Sequence, residues 1–534
     1  MVDKLHYVHS RGGKIGLGVD TSAADVDAIV TRFCNDPRGH LVLHFHGGLV
    51  SKASGLAIAD TLMPVYSPSD SEGGYPVFFV WESGALETIR NNLLELRDES
   101  VFKHLVRKAL QYTLEHLGGR SGDGTRALPS ANYGAYETVT KAEIDTYWAD
   151  PSPENVPFRN LDVDAHEPGA RAAPEQVDED SVRADLETDV ALQNALATLP
   201  VGTGARATGP SGVGRSSKFS RMAESVLATP LSGGLDRSTR GIVSLVMVAK
   251  YLVRVVRGVL GRHRSGRDHG LYATCVEEAI RAFVFLGSPG NEWAKALEWN
   301  RMKQDTSDAF GADSDLWAGT ALLDRLGRAI AGGCQLKKIT LVGHSTGAIY
   351  IARWLEHSKE FLPDTLRQDI VLLAPAITYE LLAATLAEHG DRVGRVRLFA
   401  MQDELERQDQ VWGADEALKE GKDWRRFIYP SSLLYLVSGI LESIARADGT
   451  LVDEPDMPLV GMQRFFANKE VYPDEQFASI GQVRAWIAKD PRTLVWSKTT
   501  QAVDGGNCAS SDHGAFDNDP ATLKSLTYIV GKGF

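Results

Sequence analysis

The chain has 534 residues, of which 43% are hydrophobic, and its formal net charge is −13. This length is sufficient for a large core, arranged as one big domain with insertions or as two to three smaller domains. The acidic balance argues against a nucleic-acid partner, because phosphate binding requires a basic surface.

Cysteine use and the N-terminus both favour a cytoplasmic location. The four cysteines are widely spaced without a Cys-x-x-Cys pair, and we interpret them as reduced packing thiols: Cys34, Cys275, Cys334 and Cys508. The first residues, MVDKLHYVHSRGG, contain no basic stretch followed by an apolar one and no cleavage site. They predict no secretory signal.

The N-terminal part of the chain, residues 1-85, alternates between strand and helix patterns. Apolar β-prone runs predict strands, and a Thr or Ser cap before an apolar helical period predicts a helix. The expected strands are Lys4–His9, Lys14–Gly18, HLVLHF from His40 and PVFFVWES from Pro76, and the expected helices run from Thr21 or Ser22 to Phe33 and from Lys52 to Met63.

Residues 86-335 interrupt this alternation. One or two charged helices reach about Leu117, and acidic or Gly/Ser-rich stretches such as GTGARATGPSGVGRSS follow. Such a composition is typical of a surface insertion that is partly disordered in its middle.

The insertion contains one long apolar segment, Gly241–Leu260. It carries Lys250, Arg254 and Arg257, too many charges for a comfortable membrane span, and is predicted to be an amphipathic helix. Its apolar stripe is expected to pack on its own domain. Its basic continuation, GRHRSGRDHG, could also contact anionic lipid headgroups, so segment 241-270 is a candidate for peripheral membrane contact.

The strand and helix pattern returns at residue 336. The expected strands are ITLV, DIVLLAP, RVRLFAM and RTLVWS, and Pro520–Val530 is a closing helix. Residues 336-403 and 491-534 complete the core, whereas 404-490, with the apolar stretch SLLYLVSGILESIA, form a lid- or cap-like insertion. Continuous apolar strands between helices predict an α/β fold with a mostly parallel central sheet and helices on both faces.

The stretch KKITLVGHSTGAIY carries the main chemical signal. A predicted strand ends in Gly343-His344-Ser345-Thr346-Gly347 and a predicted helix follows. The pattern Gly-x-Ser-x-Gly is typical of a sharp strand-to-helix turn, where glycines remove the Cβ atoms that would collide. The helix then points its N-terminal N–H groups towards any oxyanion formed at the serine.

An acid and a histidine follow later strands. Asp403 comes just after RVRLFAM, with Glu404 and Glu406 as alternative acids on the same segment. His513 lies in the long loop after RTLVWS. With this motif and the order Ser, Asp, His, the chain resembles the α/β-hydrolase superfamily, in particular serine esterases and lipases, over about 41–83 and 337 to the end.

The resemblance implies a catalytic triad. Ser345 would be the nucleophile, His513 the general base and then acid, and Asp403 the group that orients the imidazole. The loop HFHGGLV would supply the oxyanion hole. Its donors would come from Gly47, Gly48, Leu49 and Thr346, although Leu49 departs from the His-Gly-Gly-Gly pattern of esterases.

The expected activity is hydrolysis of a carboxylester or lipid ester by a serine hydrolase with no metal or cofactor. An amidase, thioesterase or peptidase would use the same triad, and a catalytically quiet scaffold with this fold is a further alternative. The pair His44-x-His46 leaves a metal-dependent hydrolase open. We expect His46 instead to be structural and to tie the oxyanion loop by a hydrogen bond.

Overall fold

The computed structural model describes residues 2–16, 18–48, 50–68, 73–82, 100–117, 177–190, 192, 237–286, 299–409, 429–442, 454–500 and 503–534. The predicted disorder in the middle of the long insertion lies outside these residues. Leu49, one of the predicted oxyanion-hole residues, also lies outside them.

A parallel sheet forms the centre of the described structure. Its seven strands are β1 (Tyr7–Arg11), β2 (His40–Phe45), β3 (Tyr75–Glu82), β4 (Lys338–His344), β5 (Gln368–Leu373), β6 (Val393–Met401) and β7 (Leu494–Ser497). Their order is β1-β3-β2-β4-β5-β6-β7, and every neighbouring pair is parallel. The α/β class predicted from the sequence is therefore confirmed.

Most of the predicted strands are present. The segment Lys14–Gly18 is an exception, because Lys14 forms only isolated bridges, to Arg11 and Trp317. The turn at Gly12 and Gly13, both with positive φ, brings the chain directly back onto the end of β1. Beyond Lys14 the backbone bonds to loops instead of to a strand, since the Ile15 N–H donates to the Leu316 carbonyl at 2.9 Å.

Numbered in chain order, the described helices are α1 (Ala23–Cys34), α2 (Lys52–Tyr66), α3 (Ser100–Leu117), α4 (Glu179–Leu186), α5 (Arg237–Ser265), α6 (Leu271–Leu286), α7 (Trp299–Asp308), α8 (Ala318–Ala331), α9 (Gly347–Ser358), α10 (Tyr379–His389), α11 (Asp403–Gln408), α12 (Leu433–Leu436), α13 (Gln463–Ala467), α14 (Ala478–Ile487) and α15 (Pro520–Lys532). A 3₁₀ turn, Lys4–His6, precedes β1, and a π-helical turn, Val437–Leu441, continues α12.

Helices cover both faces of the sheet because strand side chains alternate. Leu41, Leu43 and Phe45 of β2 join one core cluster with α1, α8, α9, α10 and α14. Val42 joins the other cluster with α2 and α15. The helices that follow the neighbouring strands β2 and β4 thus lie on opposite faces. The carboxyl ends of β2 and β4 are therefore a topological switch point, the position at which α/β proteins bind ligands.

The insertion supplies a helical layer built around α5. Side chains of α3, α4, α5 and α6 share one buried cluster, and α5 contributes Val248, Leu252, Val255, Val256 and Val259. The apolar stripe predicted from Gly241 to Leu260 therefore packs on its own domain. None of the described helices combines the length and the hydropathy that a transmembrane segment requires. Peripheral contact through 241-270 stays a prediction.

The apolar segment between the predicted acid and histidine is buried throughout its described length. Leu434 and Leu436 are fully inaccessible to solvent. Leu434 lies against Gly461, whose N–H donates a hydrogen bond of 3.0 Å to the Pro375 carbonyl just after β5. We call α12 with its π-helical turn the cap helix, because it packs over the carboxyl end of the sheet.

The expectation of four reduced cysteines was wrong for two of them. Cys34, at the end of α1, and Cys334, after α8, form a disulfide with a Cα–Cα distance of 5.2 Å. Cys275 and Cys508 are free and buried. Sequence spacing could not reveal the pair, because its partners are 300 residues apart and meet only when α1 packs against α8. The argument for a cytoplasmic location from reduced thiols no longer holds, and the location stays a prediction.

We expect removal of this disulfide to destabilise the protein. Closing so long a loop restricts the unfolded chain, so a Cys34→Ala/Cys334→Ala variant should lose about 2–5 kcal/mol of unfolding free energy. Thermal unfolding with and without dithiothreitol measures this, and the double variant should be insensitive to the reductant. Four alkylatable thiols in the unreduced, denatured wild type would contradict the disulfide.

Candidate active site

The Gly-x-Ser-x-Gly motif forms a strained turn between β4 and α9. Ser345 has φ of +53°, a left-handed conformation that is uncommon for a residue with a side chain. Its N–H donates to the Leu373 carbonyl at 2.8 Å, and its own carbonyl accepts from Ala376 at 3.0 Å. The backbone at the end of β5 therefore holds the serine at the carboxyl edge of the sheet.

The two glycines of the motif are required by close packing. A Cβ at Gly347 would lie 2.1 Å from the Phe45 carbonyl oxygen of β2. A Cβ at Gly343 would lie 2.8 Å from the backbone of Gly347. No side chain fits at either position without moving the strand or the helix, which explains the pattern read from the sequence.

Ser345 and His513 meet at this turn. The Ser345 Oγ lies 3.0 Å from His513 Nε2 across 168 residues of sequence. Both are buried, with 4% of Ser345 and 7% of His513 exposed. A serine hydroxyl in hydrogen-bond contact with an imidazole can transfer its proton to the ring as the oxygen attacks a substrate.

The surroundings of His513 favour a neutral ring. Burial, with a smaller contribution from His344, lowers its pKa to about 3, whereas Asp517 acts in the opposite direction. Near neutral pH the ring is therefore uncharged and can accept a proton. Within the described residues its Nδ1 has no hydrogen-bond partner.

His344, which directly precedes Ser345 in the motif, supports the loop that carries His513. Its Nε2–H donates to the His513 carbonyl at 2.9 Å, and its Nδ1 lies 3.7 Å from the buried Asp517 carboxylate. Burial opposes a charge on His344, but Asp517 outweighs it and raises the pKa of His344. Sequence reading treated His344 only as part of the motif and missed Asp517.

Asp403, the acid predicted from the sequence, interacts with the cap helix. Its Oδ1 accepts a hydrogen bond of 2.6 Å from the Tyr435 hydroxyl, and Arg407 lies 3.6 Å from its other oxygen. Its N–H donates to the Gln463 side chain. No hydrogen bond joins Asp403 to His513 in the described part of the chain, so its role in a triad stays a prediction.

The alternative acids on α11 differ in exposure. Glu404 is exposed, whereas Glu406 is fully buried and its carboxyl oxygens have no hydrogen-bond partner among the described residues. Burial raises the pKa of Glu406 well above its usual range, which favours the neutral acid. Asp409, directly after α11, accepts a hydrogen bond of 2.8 Å from the His513 backbone N–H through Oδ2. Sequence reading stopped before Asp409, although it lies on the same segment.

The predicted oxyanion loop lies beside the serine. A Cβ at Gly47 would lie 3.4 Å from the Ser345 Cβ, so the loop backbone faces Ser345. The Gly48 N–H donates to the Thr346 hydroxyl. The Thr346 N–H has no acceptor in the described part of the chain, and Thr346 is the residue that precedes α9. Gly47, Gly48 and Thr346 are thus brought together, and their role as oxyanion-hole donors stays a prediction.

His46 ties this loop to β3. Its Nδ1–H donates to the Gly47 carbonyl at 2.7 Å, and its Nε2 accepts from the Trp81 N–H at 3.1 Å. The structural role expected for His46 is confirmed. His44 instead pairs with the Tyr66 hydroxyl at 2.9 Å. Among the described residues, no three or more His, Cys, Asp and Glu side chains converge in a way that could hold a metal ion.

Helix α7 connects the oxyanion loop with the cap helix. A Cβ at Gly48 would overlap the Met302 Sδ, so Met302 packs directly on the loop. On the same helix, Trp299 Nε1–H and the Lys303 ammonium both donate to the Glu442 carboxylate at the end of the cap helix, at 2.7 and 2.8–2.9 Å. The site is therefore covered by residues from both insertions.

The described geometry thus combines a serine on a strained turn, a neutral histidine within hydrogen-bond distance and a glycine loop beside them at the topological switch point of a parallel α/β sheet. This arrangement can perform nucleophilic attack followed by proton transfer. No protein-family model matches the chain, and neither a curated protein nor a solved structure is significantly similar to it.

Proposed function

We propose that this chain is a serine hydrolase of the α/β-hydrolase type that cleaves a carboxylester through an acyl-enzyme. The observation that carries the proposal is the hydrogen bond of 3.0 Å between the Ser345 Oγ and His513 Nε2. It occurs on a residue with positive φ between a strand and a helix, as the nucleophile turn of this fold class requires.

The proposed reaction begins when the Ser345 Oγ attacks the ester carbonyl carbon and its proton moves to His513 Nε2. The negative charge on the former carbonyl oxygen is stabilised by N–H groups of the oxyanion loop and of Thr346. His513 then protonates the leaving alcohol, which leaves the acyl group on Ser345. A water molecule, deprotonated by His513, releases the acid and restores the hydroxyl.

The surroundings of the site favour an apolar acyl group. The cap helix presents Leu434 beside the Pro375 loop, whose neighbour Ala376 donates to the Ser345 carbonyl. We therefore expect esters with apolar acyl groups, including lipid esters, to be better substrates than charged compounds. Because Ser345 and His513 are nearly inaccessible in this structure, we propose that the cap must move before substrate enters.

We expect a fluorophosphonate probe to label Ser345. The probe phosphonylates a serine only where a neighbouring base activates the hydroxyl, and the His513 contact meets that condition. Mass spectrometry of the labelled peptide identifies the residue, and a Ser345→Ala variant should not react. Labelling of a different serine, or of none in folded wild-type protein, would reject the proposal and favour a catalytically quiet scaffold.

Chelation provides a control against metal chemistry. Hydrolysis of a p-nitrophenyl ester should be unaffected by EDTA, because the proposed route uses only side chains and backbone. Loss of activity that zinc or manganese restores would support the metal-dependent alternative based on His44 and His46. Comparison of ester, thioester and amide substrates separates the remaining classes that the same serine could serve.

A further inference from the structure

We propose that Asp409, and not Asp403, is the positioning residue whose carboxylate orients His513 and stabilises its charged form. This inference rests on the proposed hydrolase function. It deepens that function by assigning the acid, which the sequence places at Asp403.

The backbone of His513 is held from two sides. Asp409 Oδ2 accepts its N–H at 2.8 Å, and His344 Nε2–H donates to its carbonyl at 2.9 Å. The carboxylate of Asp409 therefore lies next to the same residue whose ring contacts Ser345. Nδ1 belongs to the same residue as that N–H, and the proposal assigns the Asp409 carboxylate as the partner of Nδ1 during the reaction.

The ring itself requires such a partner. Nε2 must accept the proton of Ser345, so the neutral ring carries its own proton on Nδ1. That donor is buried and has no acceptor among the described residues. An unpaired buried donor costs about 1–3 kcal/mol, and a buried imidazolium formed during the reaction costs more.

The other nearby carboxyl groups are occupied or uncharged. Asp403 accepts from Tyr435 and faces Arg407. Glu406 is fully buried, and burial favours its neutral form. Asp517 lies against His344, and the carboxyl group of Asp512 interacts with the backbone N–H groups of Gly514 and Ala515 in its own loop. Among the described residues, Asp409 is the carboxylate that accepts a hydrogen bond from His513, through the backbone N–H.

The test compares Asp409→Asn with Asp403→Asn, the same substitution at the other end of α11. Asparagine still accepts the backbone N–H through its carbonyl oxygen but carries no charge, so any loss reports the charge. In Asp409→Asn we expect kcat for p-nitrophenyl acetate to fall by about 10³- to 10⁴-fold with little change in KM, as for loss of a triad carboxylate. Without the carboxylate the imidazolium is less stable, so the acidic limb of the kcat/KM profile should move to lower pH. Asp403→Asn should change kcat by less than about tenfold and leave that limb in place.

Two results would overturn the assignment. One is an Asp409→Asn variant whose kcat stays within about tenfold of the wild type, or whose kcat/KM profile keeps its acidic limb at the same pH. The other is a loss of kcat in Asp403→Asn as large as that in Asp409→Asn. If Asp409→Asn does not fold, formate is added to Asp409→Ala to replace the missing carboxylate. A saturable rise in kcat with formate supports the assignment, and no rise rejects it. If the fluorophosphonate labels the wild type and Asp409→Asn at the same rate, only the assignment of Asp409 is rejected. An unlabelled wild type rejects the hydrolase proposal as well.

Discussion

His513→Ala should reduce kcat for an activated ester by about 10⁴- to 10⁶-fold while the fold is retained. The reason is that Ser345 is a poor nucleophile at neutral pH unless its proton has an acceptor at the moment of attack. In this structure His513 Nε2 lies 3.0 Å from the Ser345 Oγ, and the proposal assigns it as that acceptor. Absorbance assays with p-nitrophenyl acetate measure the loss of kcat, and circular dichroism checks that the fold is retained.

His389 provides a matched control for this substitution. It is as buried as His513, at 6% exposed, but it ends α10 away from the nucleophile. His389→Ala should therefore keep kcat within a few-fold of the wild type. A His513→Ala enzyme with nearly normal kcat and a normal Tm would show that another group accepts the serine proton.

The largest expected loss of stability follows from Glu277→Ala. Glu277 is fully buried on α6 and accepts from the Arg262 guanidinium of α5 and from the Tyr429 hydroxyl that precedes the cap helix. Its removal leaves Arg262, only 2% exposed, without its main anion. Removing one partner of a buried pair costs about 3–5 kcal/mol, and chemical denaturation measures this loss.

A double variant and a surface variant make this test specific. Arg262→Met/Glu277→Leu replaces both charges by apolar side chains and should recover much of the lost stability, because no charge remains buried. Asp180→Ala removes one partner of the exposed Arg183 pair and should cost less than about 1 kcal/mol. A Glu277→Ala protein as stable as Asp180→Ala would contradict a structural role for the buried pair.

The sequence predicted the sheet well because its signals are local. Each core strand is a continuous apolar run, and Ser22 caps α1 with the reciprocal hydrogen bonds expected from a Ser-x-x-Asp pattern. The turn at Ser345 was also predictable, since Gly343 and Gly347 are required by contacts within a few residues or with the adjacent strand.

Interactions between distant segments could not be predicted. The basic composition of GRHRSGRDHG suggested contact with lipid headgroups, but it did not indicate that Arg262 and His269 within it are buried beside Glu277 and Tyr429. The same limit applies to the acid. Both Asp403 and Asp409 follow β6, and only the loop that carries His513 distinguishes them.

The disulfide between Cys34 and Cys334 changes what a break in the chain would do. Strands β1 to β3 and β4 to β7 come from opposite sides of the long insertion, yet they form one sheet. A single proteolytic cut between residues 83 and 333 would leave each fragment with one of the bonded cysteines. The cut protein would remain one covalent molecule of two chains, with the serine and the histidine on the same fragment, and would separate only under reducing conditions.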